Sequence, residues 1–538
     1  MNEMTSFGIL NWLIVGIYLV GTLFLGVVFS KRVKSDQDYY VGDKSTPWWA
    51  IGMSVAATYI GALSLLGAPA WSYETGLSVL LIHVNYPIAV VIVITLFLPF
   101  FYNLGVASIF DYLEKRFGLT TRTLMSSIFL FGNIAYSGIM LYTTALVITF
   151  ITDFDVTLAI LLVAAIATAY TWMGGISAVI WTDVAQSFIL LLGLAIIFFV
   201  LMNVLPSGLL GALSELKASG MTYAFNTSTD LSMVSTIWTG IVAMSIYHVT
   251  VYGVNQMMVQ RTLAAKTMAD AKKAYIFMGY AAFAIFFFLF LLGVLLHNYY
   301  QGKVFEDGNK IILEFASVAQ IPGLMGLITA AVIAAAMSSL DSSLNSMATV
   351  TTIDFYQKFI KKNETAIHYL KASRIFTLFW ATFIIIPAIL FIGSAGSVLE
   401  ILSKIGSFLV GAKLSAFFLG FYSKHTNEKG LLTGILIGFL SLFITDQYYN
   451  IAWPWYCLIG GAVSMLVAWI VSVLVEGFKS HDHQYTVKGQ TEFFRGMGHP
   501  EMQDGWYVIP GKIDKASYYL LAYFVFCLVF LFLFDWLI

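Results

Sequence analysis

Long apolar runs, each close to the length that crosses a lipid bilayer, make up most of this chain. A helix needs about 20 apolar residues to span the hydrocarbon core. Numbered 1 to 14 in chain order, the fourteen runs fall near 8–30, 49–73, 79–102, 124–151, 156–172, 178–205, 235–258, 274–297, 322–356, 370–393, 398–422, 430–445, 452–475 and 517–537. Only helices and closed β-barrels span a bilayer, and no run alternates as a barrel strand does. The sequence therefore predicts an all-α membrane protein of about fourteen transmembrane helices.

Composition excludes a soluble protein. Charged residues make up 11% of the chain and hydrophobic residues 59%, whereas soluble domains usually carry about 25% charged residues.

The net charge of -1 offers no basic surface, so we expect no nucleic-acid partner. No obligate protein partner is evident, and the lipid bilayer is the expected surrounding. Cys457 and Cys527 lie in apolar runs and are typical of small core residues.

The distribution of Lys and Arg predicts the orientation of the helices. With the N-terminus outside, the outward loops hold only Lys217, Lys303 and Lys310. Two more basic residues, Lys404 and Lys413, lie within run 11, and the other 23 of the 28, Arg261 among them, fall in inward segments. Because basic residues concentrate on the cytoplasmic side of membrane proteins, both termini are expected outside.

Two segments depart from a simple series of spans. Run 9 is too long for one perpendicular span, so it is either strongly tilted or continues into water. The long inward segment 476–516 is a cytoplasmic loop. It contains His481, His483 and His499, which we interpret as polar loop residues in preference to a metal site.

Runs 2 and 7 have the composition of interrupted helices. The stretches 54–69 and 245–256 mix small, polar and β-branched residues with Gly and, in the first, Pro. Carriers often bind their solutes where helices unwind and free backbone groups. Each run begins a set of five, runs 2–6 and 7–11, which indicates a five-plus-five inverted repeat. For either run alone, close helix packing by small residues is the stronger explanation.

Two carboxylates within the apolar runs require a cation or an aqueous path, because a charge in hydrocarbon costs several kcal/mol. Asp183 lies in run 6 and Asp341 in the Ser-rich part of run 9. There Ser338 and Ser342 share one helix face. Hydroxyls and freed carbonyls suit sodium, although serines also bond back to their own helix, and both interpretations stay open.

Lys413 is the other costly charge in the apolar runs. Pairing with Asp341 or Glu400 is the favoured interpretation. Attraction of an anionic substrate and snorkelling of the ammonium to an interface are the alternatives.

Four blocks of sequence together resemble the sodium:solute symporter family, of the sodium/glucose cotransporter type. In family order they are 112–117, 170–186, 259–266 and 338–349. The resemblance covers runs 2–11 in motif and all fourteen runs in layout. It implies a LeuT-type fold in a single domain, 1–538. Run 1 (8–30) is then an accessory helix, 49–445 a ten-helix transport core, and 452–538 accessory C-terminal helices.

The resemblance also implies a function and its ion sites. It implies secondary active symport by alternating access in the plasma (inner) membrane, with Na+ as the coupling ion and no other cofactor. The family's main sodium site corresponds here to Ala57, Ile60, Ala335, Ser338 and Ser339. A second cation site would involve Asp183, Asp341 and Ser342 beside Ser338. Sugar and sialic acid members carry a hydroxyl at position 341, so this carboxylate puts the second sodium in doubt.

The resemblance places the substrate pocket at Ser64, His83, Tyr136, His248, Tyr252 and Ser403. The amides and carboxylate of sodium/galactose members are absent from these positions, and so is the arginine of sialic acid members near Tyr136. The stretches 135–142 and 66–70 look like the branch that carries iodide, vitamins and monocarboxylates. A neutral imidazole at His83 or His248 suits hydroxyl-rich solutes, and a protonated one suits a carboxylate.

The expected solute is a sugar or sugar derivative, and a small monocarboxylate or vitamin-like anion is the alternative. A membrane-embedded enzyme would have to use His83, His248 and Asp341, but no motif joins them, so the chain is not expected to be an enzyme. A channel or a transporter-like sensor is the third possibility. Interrupted helices around buried ion ligands favour alternating access over an open pore.

Overall fold

The computed structural model describes residues 7–31, 33–42, 44–152, 154–393, 398–481 and 484–537. These residues form an almost entirely helical bundle. Its α-helices are α1 Ile9–Ser30, α2 Asp36–Val41, α3 Trp48–Tyr59, α4 Ala62–Thr75, α5 Tyr86–Ile92, α6 Leu98–Leu104, α7 Phe110–Arg116, α8 Leu119–Thr152, α9 Val156–Val204, α10 Gly208–Ala218, α11 Met244–Gly253, α12 Gln256–Leu263, α13 Met268–Tyr299, α14 Ile311–Ala319, α15 Leu324–Val350, α16 Ala366–Phe383, α17 Ile385–Leu390, α18 Val398–Tyr422, α19 Glu428–Tyr448, α20 Tyr456–Glu476, α21 Val487–Gly496 and α22 Lys515–Leu537.

Shorter helical turns and one small sheet complete the described chain. The 3-10 turns are Leu77–His83, Gly308–Lys310 and Trp453–Trp455, and the π-helical turns are Val93–Phe97, Thr239–Ala243 and Thr351–Ile360. Two antiparallel strands, β1 Met502–Gln503 and β2 Trp506–Tyr507, lie in the long segment between α20 and α22.

Eleven helices of the described chain are long and apolar enough to cross a membrane, and a bent pair makes twelve. That pair is α3 and α4, which meet at 50°. Run 5 corresponds to the shorter apolar helix Val156–Ala169, and run 7 to the broken pair α11 and α12. A helical membrane protein is thus confirmed, while the number fourteen stays a prediction.

Runs 5 and 6 join in one 49-residue helix, α9, that is broken at Gly175. At 1.5 Å per residue a straight helix of this length would be about 74 Å long, more than twice the hydrocarbon thickness. Gly175 has φ 55° and ψ -158°, in the region that favours glycine. A Cβ there would lie 2.9 Å from the Tyr39 Cα, so glycine also lets α9 pack closely against α2.

Run 9 forms α15 and continues without interruption as the π-helix Thr351–Ile360, giving 37 helical residues. Nearly all of α15 is buried inside the bundle. Small residues such as Ala331, Ala334 and Ser338 allow neighbouring helices to approach it closely. The helix that carries the Ser-rich motif is therefore the central helix of the bundle.

The segment 476–516 is anchored against neighbouring helices. The Gly511 amide donates to the Thr95 carbonyl at 2.8 Å, within the π-helical turn 93–97. Buried Lys272 pairs with Asp514 at 2.6 Å. His481 lies 3.2 Å from Glu476, and His483 lies outside the described residues. No group of three metal-ligating side chains occurs in the described ranges.

Candidate functional site

The break between α3 and α4 faces the Ser-rich part of α15. Ile60 leaves helical geometry with φ -93° and ψ 67°, so carbonyls in the last turn of α3 lose their helical partners. The Thr58 carbonyl accepts a hydrogen bond from Ser339 Oγ at 3.1 Å and another from the Tyr136 hydroxyl at 3.3 Å. The sequence predicted the Ala57 and Ile60 carbonyls and missed the Thr58 carbonyl, which belongs to the same released turn.

Gly61 lets the break lie directly on α15. A Cβ at this position would lie 2.5 Å from Ser339 Oγ and 3.2 Å from the Ala335 carbonyl oxygen. A side chain at this position would therefore displace the Ser339 hydroxyl or move the two elements apart. The structure thus brings the Ile60–Gly61 turn together with Ala335 and Ser339, two of the residues predicted for the sodium site.

Two buried side-chain oxygens in α9 and α15 make no hydrogen bond of good geometry among the described residues. They are Ser338 Oγ and Asp183 Oδ1, both completely buried. The Ser338 side chain faces the Asp183 carboxylate. Because buried polar atoms are normally hydrogen-bonded, and hard cations take oxygen ligands, this pair of oxygens fits a bound cation.

Asp183 also belongs to a buried ion pair that the sequence did not predict. Ser54 Oγ donates to Asp183 Oδ2 at 2.5 Å, and the Arg261 guanidinium lies 3.5 Å from the same oxygen. Arg261 Nε donates to Ser54 Oγ at 2.8 Å. Counting Arg261 among inward loop cations was therefore wrong. It is fully buried in α12, which enters the bundle immediately after the break at Val254.

The predicted second cation site surrounds this guanidinium. Arg261 donates to the Ser342 hydroxyl, and Ser342 Oγ lies 3.0 Å from Asp341 Oδ1. Thr182 Oγ1 donates to Asp341 Oδ2 at 3.3 Å. Asp183, Asp341 and Ser342 are thus close together, with the positive charge of Arg261 among them.

A cavity of about 140 Å³ lies beside the break, between α3, α4, α8, α11, α12 and α18. Three of the six residues predicted for the substrate pocket line it, namely Ser64, Tyr136 and Ser403. Polar and flexible side chains that the sequence did not single out also line it, including Tyr59, Asn133, Tyr247, Asn255 and Met258. These residues lie on the two interrupted helices and on the helices packed against them. Their position on or beside an interrupted helix is the only feature of the sequence that could have identified them.

The other three predicted pocket residues do not line the cavity in this structure and lie one layer behind it. His248 Nε2 is hydrogen-bonded to the Tyr59 hydroxyl at 2.7 Å, and Tyr59 itself faces the cavity. His83 is hydrogen-bonded to the Tyr86 hydroxyl at 2.8 Å. Tyr252 packs against Tyr59 with ring centroids 5.4 Å apart. His248 and Tyr252 therefore contact the lining directly through Tyr59. His83 reaches it indirectly through Tyr86, whose ring centroid lies 5.9 Å from that of Tyr59.

Lys413 does not form the predicted ion pair. Its ammonium lies 5.7 Å from the centre of the Phe129 ring and has no ion pair or hydrogen bond within the described ranges. Asp341 instead accepts hydrogen bonds from Thr182 of α9 and from its neighbour Ser342. Glu400 lies thirteen residues earlier on the same helix, about 20 Å away along its axis. Lys413 instead lines the cavity.

A cluster of charges ties α7 to the ends of α8 and α15. Arg122 donates from Nε to Asp354 at 2.7 Å and from Nη1 to Asp111 and Glu114 at 2.8 and 2.5 Å. Lys358 lies 2.9 Å from Glu114. Burial raises the pKa of Glu114, but hydrogen bonds from Lys358 and Arg122 outweigh it and lower that pKa below its ordinary value. This cluster includes the 112–117 block and closes one end of the bundle.

The comparisons with known proteins agree with this geometry. The profile of the sodium:solute symporter family matches residues 39–438. The chain therefore belongs to the sodium:solute symporter family. It is a sodium-coupled transporter of a small solute and not an enzyme.

Relatives within the family carry different solutes. The sodium/sialic acid symporter of Aliivibrio fischeri is 28% identical over 492 residues, covering 89% of this chain and 96% of the relative. The sodium-coupled monocarboxylate transporter 1 of Xenopus laevis is 28% identical over 458 residues, covering 82% and 72%.

Solved structures show the same fold. The substrate-bound outward-open state of a Na+-coupled sialic acid symporter has a TM-score of 0.81 and 27% identity, covering 87% of this chain and 98% of that one. A nucleobase-cation-symport-1 family transporter in a closed conformation shares the fold alone, with a TM-score of 0.53 and 14% identity.

Proposed function

We propose that this protein takes up a small polar solute, a sugar derivative or a small monocarboxylate, together with sodium and by alternating access. The observation that carries the proposal is the contact of the Ile60–Gly61 break with Ala335 and Ser339, beside the central cavity. Binding of an ion at this contact can depend on whether solute fills the cavity, because the ion site and the cavity are both formed by the broken helix α3/α4.

The main sodium would bind the carbonyls of Ala57, Ile60 and Ala335 and the hydroxyls of Ser338 and Ser339. A hydroxyl that donates to a carbonyl keeps its lone pairs for a cation, so the Ser339–Thr58 hydrogen bond is compatible with sodium binding. Sodium there would hold the break in α3 and α4 against α15. Coupling follows if this arrangement binds the ion more tightly in one state of the cycle than in the other.

A second cation would bind between Asp183 Oδ1 and Ser338 Oγ, with Asp341 and Ser342 nearby. It would share the Asp183 carboxylate with Arg261, which already supplies one positive charge. We infer that this site is weaker than the first and that the main sodium alone suffices for coupling.

The solute would occupy the central cavity, in contact with Ser64, Tyr136 and Ser403. His83, His248 and Tyr252 would act through Tyr59 and its neighbours. Hydroxyl and amide side chains support a sugar derivative, as in the expectation from sequence. Lys413 supports a solute that carries a carboxylate.

The topology belongs to the same proposal. Fourteen spans result if α9 counts twice and the broken pairs α3/α4 and α11/α12 once each. Both termini then lie outside a plasma (inner) membrane, and 49–445 is the ten-helix core of a LeuT-type inverted repeat.

Uptake into proteoliposomes tests the proposal. We expect accumulation of labelled solute with an inward sodium gradient and none with a matched potassium gradient. A thermal-shift screen of sugars, polyols, sialic acid and monocarboxylates, run in sodium and in potassium, selects the solute. Equal uptake in both salts would contradict sodium coupling.

A further inference from the structure

Lys413 is a buried cation for which the described protein provides no counter-charge. Only 8% of the residue is exposed, and its ammonium contacts the face of the Phe129 ring instead of a carboxylate. Lys404, nine residues earlier on the same helix, is half exposed and pairs with Asp446 at 2.9 Å. The more exposed lysine is thus the paired one, although an unpaired charge costs far more when buried.

An anionic solute in the cavity could provide the counter-charge that Lys413 lacks. Lys413 is the single charged residue among the described residues that line it. The carboxylates of Asp183 and Asp341 are absent from the lining. They are engaged by Ser54, Arg261 and Thr182. A solute in the cavity therefore meets a positive potential that no protein carboxylate of the lining cancels.

From this arrangement we propose that Lys413 binds the carboxylate of the transported solute and thereby selects organic monoanions over neutral solutes. The inference rests on the proposed function, and names the substrate class of the same cavity. An ammonium in a low-dielectric site gains a strong, charge-assisted hydrogen bond from a carboxylate. A neutral sugar would leave the ammonium uncompensated.

The polar lining and the size of the cavity indicate which organic monoanions it can hold. Asn133, Tyr136 and Ser403 can hydrogen-bond hydroxyl or carbonyl groups next to the carboxylate. The volume of about 140 Å³ is below the roughly 300–1,000 Å³ of pockets for drug-sized ligands. A small hydroxy or keto acid fits this volume better than a large sugar acid does.

Binding measurements with matched acid and neutral probes test the inference. The purified full-length protein in sodium is titrated with lactate and lactamide, and with N-acetylneuraminate and its methyl ester. We expect one or both acids to bind, and each neutral partner to bind about tenfold more weakly or worse. The two acids separate a small monocarboxylate from a sugar acid.

Substitutions on one helix provide the control. We expect Lys413→Met to lose about tenfold or more in acid affinity, Lys413→Arg to retain part of it, and Lys404→Met to bind as the native protein does. A structural role for Lys413 would lower the unfolding temperature of Lys413→Met. Loss of an unpaired buried charge would leave it unchanged or raise it.

Three results would overturn the inference: neutral partners that bind as tightly as the acids, acid binding unchanged in Lys413→Met, or no binding of either acid to the native protein. Sodium-induced thermal stabilisation without any acid is measured alongside. If sodium stabilises the protein but acid binding ignores Lys413, this inference fails alone. If sodium has no effect, the proposed function fails.

Discussion

Ser339 Oγ donates a hydrogen bond to the Thr58 carbonyl at 3.1 Å and so joins the central helix to the broken one. We predict that Ser339→Ala lowers sodium affinity about tenfold or more, because it removes one oxygen ligand and this hydrogen bond. Sodium titration followed by thermal stabilisation measures the change.

Ser343→Ala is the matched control for that substitution. Ser343 lies four residues further along α15 and is buried, but its hydroxyl bonds to Ser137 of α8 at 2.7 Å. Its removal should cost some stability without altering sodium affinity. If both variants lose sodium affinity equally, the Ser339 hydroxyl is not a specific ligand.

Gly61→Ala should abolish sodium-driven uptake. The added Cβ would lie 2.5 Å from Ser339 Oγ, so either the Ser339 hydroxyl must turn away or the break must move, and both changes disturb the proposed sodium site. Gly21→Ala in α1 serves as control, because a Cβ there meets nothing within 4 Å. Normal uptake by Gly61→Ala, with normal sodium dependence, would refute the close contact.

The Asp183–Arg261 pair should behave as a coupled unit. We expect Arg261→Met to lower the free energy of unfolding by about 3–5 kcal/mol, because it leaves the buried Asp183 carboxylate without its guanidinium. Asp183→Asn combined with Arg261→Met should cost less than the sum of the two single changes. The free energy of unfolding is measured for the native protein, the two single variants and the double variant. If the effects of the two single changes add up exactly, Asp183 and Arg261 do not interact directly.

Asp354→Asn should loosen the end of the bundle that the proposed orientation assigns to the cytoplasm. The Arg122 guanidinium loses its buried carboxylate, so α7 and α8 are held less firmly against α15. A cysteine at Met258, in the cavity lining, should then react faster with a thiol reagent, by about tenfold. The native Cys457 and Cys527 are buried and provide a low background.

Lys115→Gln is the comparison for that measurement. Lys115 also pairs with Asp111, at 2.8 Å, but its side chain is 40% exposed. Exposed pairs contribute little, so labelling should stay at the native rate. A labelling rate unchanged in Asp354→Asn as well would mean that the cluster does not control access.

The sequence predicts the helical fold well, because hydrophobic length acts locally. It indicates the break in run 2 less clearly, because the small residues there are also explained by close helix packing. The length of run 9 predicts either a strong tilt or a continuation into water, and the structure shows 37 continuous helical residues. The family blocks then identify which serines face that break.

The environment of the charged residues is less predictable. Arg261 looks like a loop cation because it follows an apolar run, and only the entry of α12 into the bundle buries it beside Asp183. Asp341 and Lys413 look like partners because each needs a counter-charge, but Asp341 bonds to Thr182 and Ser342, and Lys413 lies over the Phe129 ring. His83 and His248 are polar groups in apolar runs, and the aromatic rings that cover them come from distant parts of the chain. Whether a polar side chain faces the cavity or packs behind it depends on tertiary contacts, which the spacing of residues along the chain does not show.

The fixed charge of Lys413 has an electrical consequence. An ammonium that belongs to the protein does not leave with the cargo, so the charge moved per cycle is that of sodium plus solute. One sodium carried with one monoanion moves no net charge, and the membrane voltage then contributes nothing to accumulation of the pair. Each further sodium would add about 2.3 kcal/mol of driving force per 100 mV. A solute-evoked current would therefore count the ions at the Asp183 site directly, without a binding assay.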